Sequence, residues 1–168
     1  MHKKKAFTLL ELLIVVAFIG IMSSVVIVSL SASRIQKQVE GTSREVSAAI
    51  REAQNGALTG KKTDDTHLPC DYKFNYVNST TYTISYDYHT VANPSCTNTQ
   101  VLATYTTKNS VIFPSSFNTI IFQAPFSSIS GLSSDPMPIV VNKGSVNYVV
   151  CVSSSGNIWE KANSTTCP

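Results

Sequence analysis

From Leu12 to Leu30 the chain carries 19 consecutive residues without a charge, directly after a carboxylate, Glu11, and a lysine cluster, Lys3-Lys4-Lys5. As a helix this run spans roughly 28 Å, close to the thickness of one hydrocarbon core. A helix that is apolar on every side cannot stand in water alone; it needs lipid or other helices around it. The lysine cluster places the preceding end on the cytoplasmic side of a membrane, with everything after about Ser31 outside.

The rest of the chain is built differently. All seven Pro and all seven Tyr lie after residue 68, and residues 63–168 hold 30 Ser plus Thr among 106, a turn-rich and β-favouring composition. With 168 residues there is room for one small domain and an appendage. Only 14% of residues are charged, and Lys3, Lys4 and Lys5 account for the whole net charge of +3. That balance excludes a disordered polyelectrolyte and gives no basic surface for nucleic acid. The four cysteines, Cys70, Cys96, Cys151 and Cys167, all fall in the second part without C-x-x-C spacing, which points to disulfides formed outside the cytoplasm.

Three kinds of N-terminal segment fit the apolar run. A cleaved secretory signal has a shorter apolar region. An uncleaved signal anchor has the length but no use for Glu11, and a carboxylate near a membrane span usually has a partner or a role. Locally, Thr8-Leu9-Leu10-Glu11 matches a capping box, in which Thr8 and Glu11 satisfy the free N–H groups at a helix start. The third kind comes from likeness: residues 3–16, KKKAFTLLELLIVV, resemble the class III signal of type IV prepilins and type II secretion pseudopilins. The resemblance implies cleavage by a membrane peptidase between Ala6 and Phe7, methylation of the new Phe7 amine, and retention of the apolar run. The family usually has Gly before the cut, where this chain has Ala6. Glu11 becomes the fifth residue of the mature chain, where its carboxylate can neutralise the N-terminal amine of a neighbouring subunit inside an apolar filament.

Beyond Arg34, apolar and small residues recur as Ile35, Val39, Thr42, Val46, Ala49, Ile50, Ala53 and Ala57, the stripe of an amphipathic helix. Without Pro, one helix can run from Phe7 to about Leu58, roughly 78 Å, interrupted at most at Gly20 and Gly41. Glu40 and Arg44 form an i, i+4 pair on its solvated face. Residues 44–60 are similar to the end of the long helix in H-class minor pseudopilins and related minor pilins.

Strand-like runs follow at 72–77, 82–88, 101–107, 111–113, 119–123, 138–142, 146–152 and 157–160, an expected antiparallel meander with a hairpin loop at 153–157. Tyr82, Ile84, Tyr86 and Tyr88 share one strand face and suit cross-strand packing or cover over the helix. Of three possible disulfide pairings, Cys70 with Cys96 and Cys151 with Cys167 close local loops and are favoured. The spacing of His67, Cys70, His89 and Cys96 is not a zinc pattern, no catalytic motif occurs, and the tail has Lys161 balanced by Glu160 rather than a phosphate-binding patch.

The expectation is an α+β protein: a cytoplasmic leader (1–6), a transmembrane or filament-core helix (7–30), its amphipathic continuation (31–60) and an extracytoplasmic β-rich head (61–168). The resemblance implies a structural, non-enzymatic minor pseudopilin or minor pilin of a type II secretion or type IV pilus-like filament, without cofactor or metal, resident in the bacterial inner membrane and then in the filament; the alternatives are a type IV minor pilin for DNA uptake or adhesion and an uncleaved single-pass membrane-anchored binding domain. Its implied partners are prepilin peptidase, other pilin or pseudopilin subunits, the inner-membrane assembly platform and membrane lipid before assembly; nucleic acid is disfavoured.

Overall fold

The computed structural model describes residues 8–61, 66–90, 95–125 and 128–168, with the side chains of 24–29 outside the description. One helix, α1 (Leu9–Thr59), precedes the strands β1 (Leu68–Asn78), β2 (Thr81–His89), β3 (Asn98–Thr106), β4 (Ile120–Gln123), β5 (Ser128–Ser130), β6 (Met137–Lys143), β7 (Val146–Val152) and β8 (Ile158–Ala162). The chain divides into two compact units, Met1–Gln36 and Lys37–Pro168. Helix α1 continues without interruption through Gly20 and Gly41, each of which costs about 1 kcal/mol against alanine, too little on its own to break a helix of this length. It stops at Gly60, whose φ of 57° lets the Lys61 N–H donate back to the Gly56 carbonyl at 3.2 Å.

Among the described residues no helix is long and apolar enough to cross a membrane. The span expected over residues 12–30 contains 24–29, whose side chains lie outside the description.

Within the Lys37–Pro168 unit, α1 lies against two antiparallel sheets rather than one meander. The first has the order β3-β2-β1-β4-β5 and the second β6-β7-β8. β1 and β2 form a hairpin, but the other edge of β1 takes β4, so the chain leaves the sheet after β3 and returns on the far side. Asn109 and Ser110 adopt positive φ, Pro114 follows, and Phe113 and Phe117 pack into the aromatic core against Tyr82 and Phe74. The strand expected at 111–113 is thereby reduced to a single bridge, Ile112 with Asn142, and β5 is a strand the alternation pattern did not mark.

The core follows the two periodicities. On α1, Val39, Val46, Ile50, Ala53 and Ala57 are fully buried; on the first sheet Tyr72, Phe74, Tyr82, Ile84, Tyr86, Ile120 and Phe122 are; the second sheet adds Met137, Ile139 and Val141. Burying each large aliphatic or aromatic side chain stabilises by about 1.5–3 kcal/mol. Tyr72 stacks on Tyr86 with centroids 5.7 Å apart, and Tyr82 on Tyr105 at 5.2 Å. The expected tyrosine face of β2 is therefore core and cross-strand packing, with Tyr88 half-buried at its end. Small residues on the buried helix face, including Ser43, Ser47 and Ala49, let α1 approach closely. The β7–β8 hairpin loop docks on it through Gly156, whose carbonyl accepts from Gln54 Nε2 at 3.1 Å. A side chain at Gly156, with its φ of 88°, would strike that same amide.

Candidate functional site

The first candidate site is the start of α1. Ala6 and Phe7 lie outside the described residues, and the description opens at Thr8. The Glu11 N–H donates to Thr8 Oγ1 at 3.2 Å, while Glu11 Oε2 accepts from the Thr8 N–H at 3.4 Å and from its hydroxyl at 3.3 Å. This is the reciprocal capping box, and it places a negative charge at the positive end of the helix dipole. From there to residue 23 the described side chains are almost all apolar and all exposed: Leu9 is 83% exposed, Leu12 63%, Phe18 61% and Met22 69%. Within the Met1–Gln36 unit no core of described residues covers them.

In the Lys37–Pro168 unit, Cys70 bonds to Cys96 and Cys151 to Cys167, the two local pairings. The second ties the C-terminal tail to β7. His89 Nδ1 lies 3.4 Å from Cys70 Sγ and 3.9 Å from Cys96 Sγ. The three would make a set of metal ligands only with free thiolates, and here the sulfurs are spent on each other. His67 sits instead edge-on to Tyr88, with ring centroids 4.1 Å apart. Lys161 and Glu160 are neighbours on β8.

Two electrostatic features escape a reading by motif. On β1, burial pushes the Asp71 carboxyl up, with the Asp87 carboxylate adding and Lys73 opposing; its Oδ1 has no hydrogen-bond partner among the described residues. Asp87 itself is held by Lys73 and by the Thr99 hydroxyl at 2.6 Å. The second feature is a groove of about 440 Å³ between α1 and β3, lined by Glu45, Glu52, Tyr105 and Lys108 among others. Tyr105 donates to Glu52 at 2.9 Å, and Lys108 stands 3.7 Å from Glu45. Burial raises the Tyr105 phenol, helped by its bond to Glu52; burial also raises Tyr82, with Glu45 adding. The seven-residue spacing of Glu45 and Glu52 was the one sequence signal for this groove.

Residues 1–31 match the prokaryotic N-terminal methylation motif. Two fimbrial proteins of Pseudomonas aeruginosa are each 37% identical to the chain over 74 residues, which is 44% of this chain and 48% of each relative. The chain is therefore similar, over this motif and part of its length, to type IV pilin-like fimbrial proteins. Its long N-terminal helix followed by antiparallel sheets is the α+β fold expected from that likeness. The chain spans about half the length of the curated relatives it matches. No solved structure matches it.

Proposed function

We propose that this pilin-like chain is a structural, non-enzymatic subunit of a type IV pilus or related secretion filament. It is held in the bacterial inner membrane through residues 7–30, with the leader on the cytoplasmic side and the head outside. A prepilin peptidase cuts between Ala6 and Phe7 and methylates Phe7, and the mature helix then leaves lipid to pack among other subunits on an inner-membrane assembly platform. The observation that carries this is the exposed apolar start of α1, headed by a single carboxylate and lying within the matched methylation motif.

Glu11 suits both states. Before assembly its Oε2 closes the capping box with Thr8, and Oε1 takes no part in those bonds. In a filament that second oxygen accepts from the methylated amine of a neighbouring Phe7, so that two charges entering an apolar core compensate each other. The fimbrial relatives favour a pilus over a secretion filament, while the likeness of residues 44–60 to H-class subunits favours a minor component.

The deciding experiment expresses the full chain with and without a prepilin peptidase and reads the mature N-terminus by intact mass and peptide sequencing. Loss of residues 1–6 with a methylated Phe7 is expected. A chain still starting at Met1, or cut near Ala32, would refute this function and leave an anchored or secreted binding domain.

A further inference from the structure

The two disulfides sit in unlike surroundings. Cys151 is fully buried on β7, and its bond to Cys167 holds the tail against the sheet. Cys70, half-buried on β1, bonds instead to Cys96, which is exposed between β2 and β3. The register of the first hairpin adds a third group to this pair. Leu68 pairs with His89 and Pro69 with Tyr88, and the pairing then steps to Asp71 with Asp87, so Cys70 is the extra residue of a bulge. A bulge re-aims a side chain, and here the sulfur lies beside the end of β2. His89, the last residue of β2, places Nδ1 3.4 Å from Cys70 Sγ and 3.9 Å from Cys96 Sγ.

A disulfide opens when a thiolate attacks one sulfur and expels the other. Access decides which sulfur is attacked, and stabilisation of the departing thiolate decides how readily the other leaves. Both criteria select the same direction in this pair. Cys96 is the sulfur open to solvent, and Cys70, the one to be expelled, is the nearer of the two to His89 Nδ1. With its proton on Nδ1, the imidazole donates to the thiolate that forms. Buried Cys151 offers an incoming thiol no such entry.

We propose that Cys96 is a site of reversible S-thiolation, at which a small-molecule thiol exchanges into the Cys70–Cys96 bond with the help of His89. The thiol RSH loses its proton and its sulfur bonds to Cys96 Sγ. The Cys70–Cys96 bond breaks, its electron pair goes to Cys70 Sγ, and Cys70 takes up a proton through His89 Nδ1. The products are RS–S–Cys96 and Cys70–SH, so one disulfide replaces another and no separate oxidant or reductant is consumed. Attack of the Cys70 thiolate back on Cys96 Sγ reverses the step and returns RSH. The change stays local, because β2 is held to β1 and to β3 by its own strand pairing. What it loosens is the approach to β3, an edge strand of the first sheet. The inference goes beyond the filament function and does not depend on it.

The test takes the full chain in detergent with both disulfides formed and incubates it with reduced glutathione. Samples are quenched with acid and alkylated over time, and the cysteines are mapped by peptide mass spectrometry. Glutathione is expected on Cys96 and a free thiol on Cys70, at least about tenfold sooner than any opening of Cys151–Cys167. His89→Gln should slow this exchange by about three- to tenfold and leave Cys151–Cys167 as it was. That sign separates chemistry from packing, since a loosened fold would speed the opening of both bonds; near-ultraviolet circular dichroism checks the fold of the variant. Glutathione on Cys70 instead of Cys96, equal rates for the two disulfides, no adduct at all, or a His89→Gln chain that exchanges as fast as the wild type or faster would overturn the proposal.

Discussion

Replacing Gly56 by alanine separates helix propensity from packing. Gly56 lies in the last turns of α1, where alanine is intrinsically better by about 1 kcal/mol. Its missing side chain, however, is the space taken by Tyr72: an added carbon would stand 2.6 Å from Cε1 and 2.7 Å from Cδ1 of that ring. Tyr72 cannot easily yield. It is 2% exposed, it stacks on Tyr86, and its hydroxyl donates to the Lys61 carbonyl just past the helix end. An overlap this close against a held ring falls in the upper part of the range for overpacking, about 2–3 kcal/mol, and outweighs the propensity gain, for a net loss of about 1–2 kcal/mol. Gly41→Ala is the control, since it keeps the propensity gain and meets nothing within 4 Å. In thermal melts of the full chain in detergent, followed by near-ultraviolet circular dichroism, Gly56→Ala should lower Tm by about 3–6 °C and Gly41→Ala should raise it by about 2–3 °C. In a Tyr72→Ala background the Gly56→Ala change should turn stabilising, because the colliding ring is gone. Equal Tm values for the two single glycine variants would refute the packing argument.

Replacing Cys151 and Cys167 together by serine opens a loop with a sequence separation of 16 and should lower unfolding free energy by about 3 kcal/mol in denaturant titrations; an unchanged midpoint would deny the bond a role in holding the tail. Asp71 predicts a pH dependence. Its carboxyl is raised above its ordinary value of 3.8, by burial first and the Asp87 carboxylate second, so the native state holds the proton more tightly than the unfolded chain. Stability is therefore lost as pH rises from about the unfolded value through the raised one. Asp71→Asn should raise Tm at pH 7 and leave it nearly unchanged near pH 3, and a gap that is the same at both pH values would contradict the assignment.

The local features of this chain were legible because each rests on residues within a few positions of one another. Thr8 and Glu11 sit three apart and close the capping box; Val39, Val46, Ala49, Ile50, Ala53 and Ala57 follow the helical repeat and are the buried face. Tyr82, Ile84 and Tyr86 alternate and point inward, Gly60 ends the helix, and each disulfide closes a short loop. Alternation states which side chains turn inward, but not which strand lies alongside. The pairing of β1 with β4, the split into two sheets and the short strand β5 depend on contacts between segments distant in sequence, such as Phe117 against Phe74 and Phe113 against Tyr82, since a strand takes whichever partner lets its apolar face close over the core. The same holds for the groove at Glu45 and Glu52. Its helix side is a seven-residue repeat visible in the sequence, whereas Tyr105 and Lys108 reach it from 53 and 63 residues away, and only the folded chain brings them there.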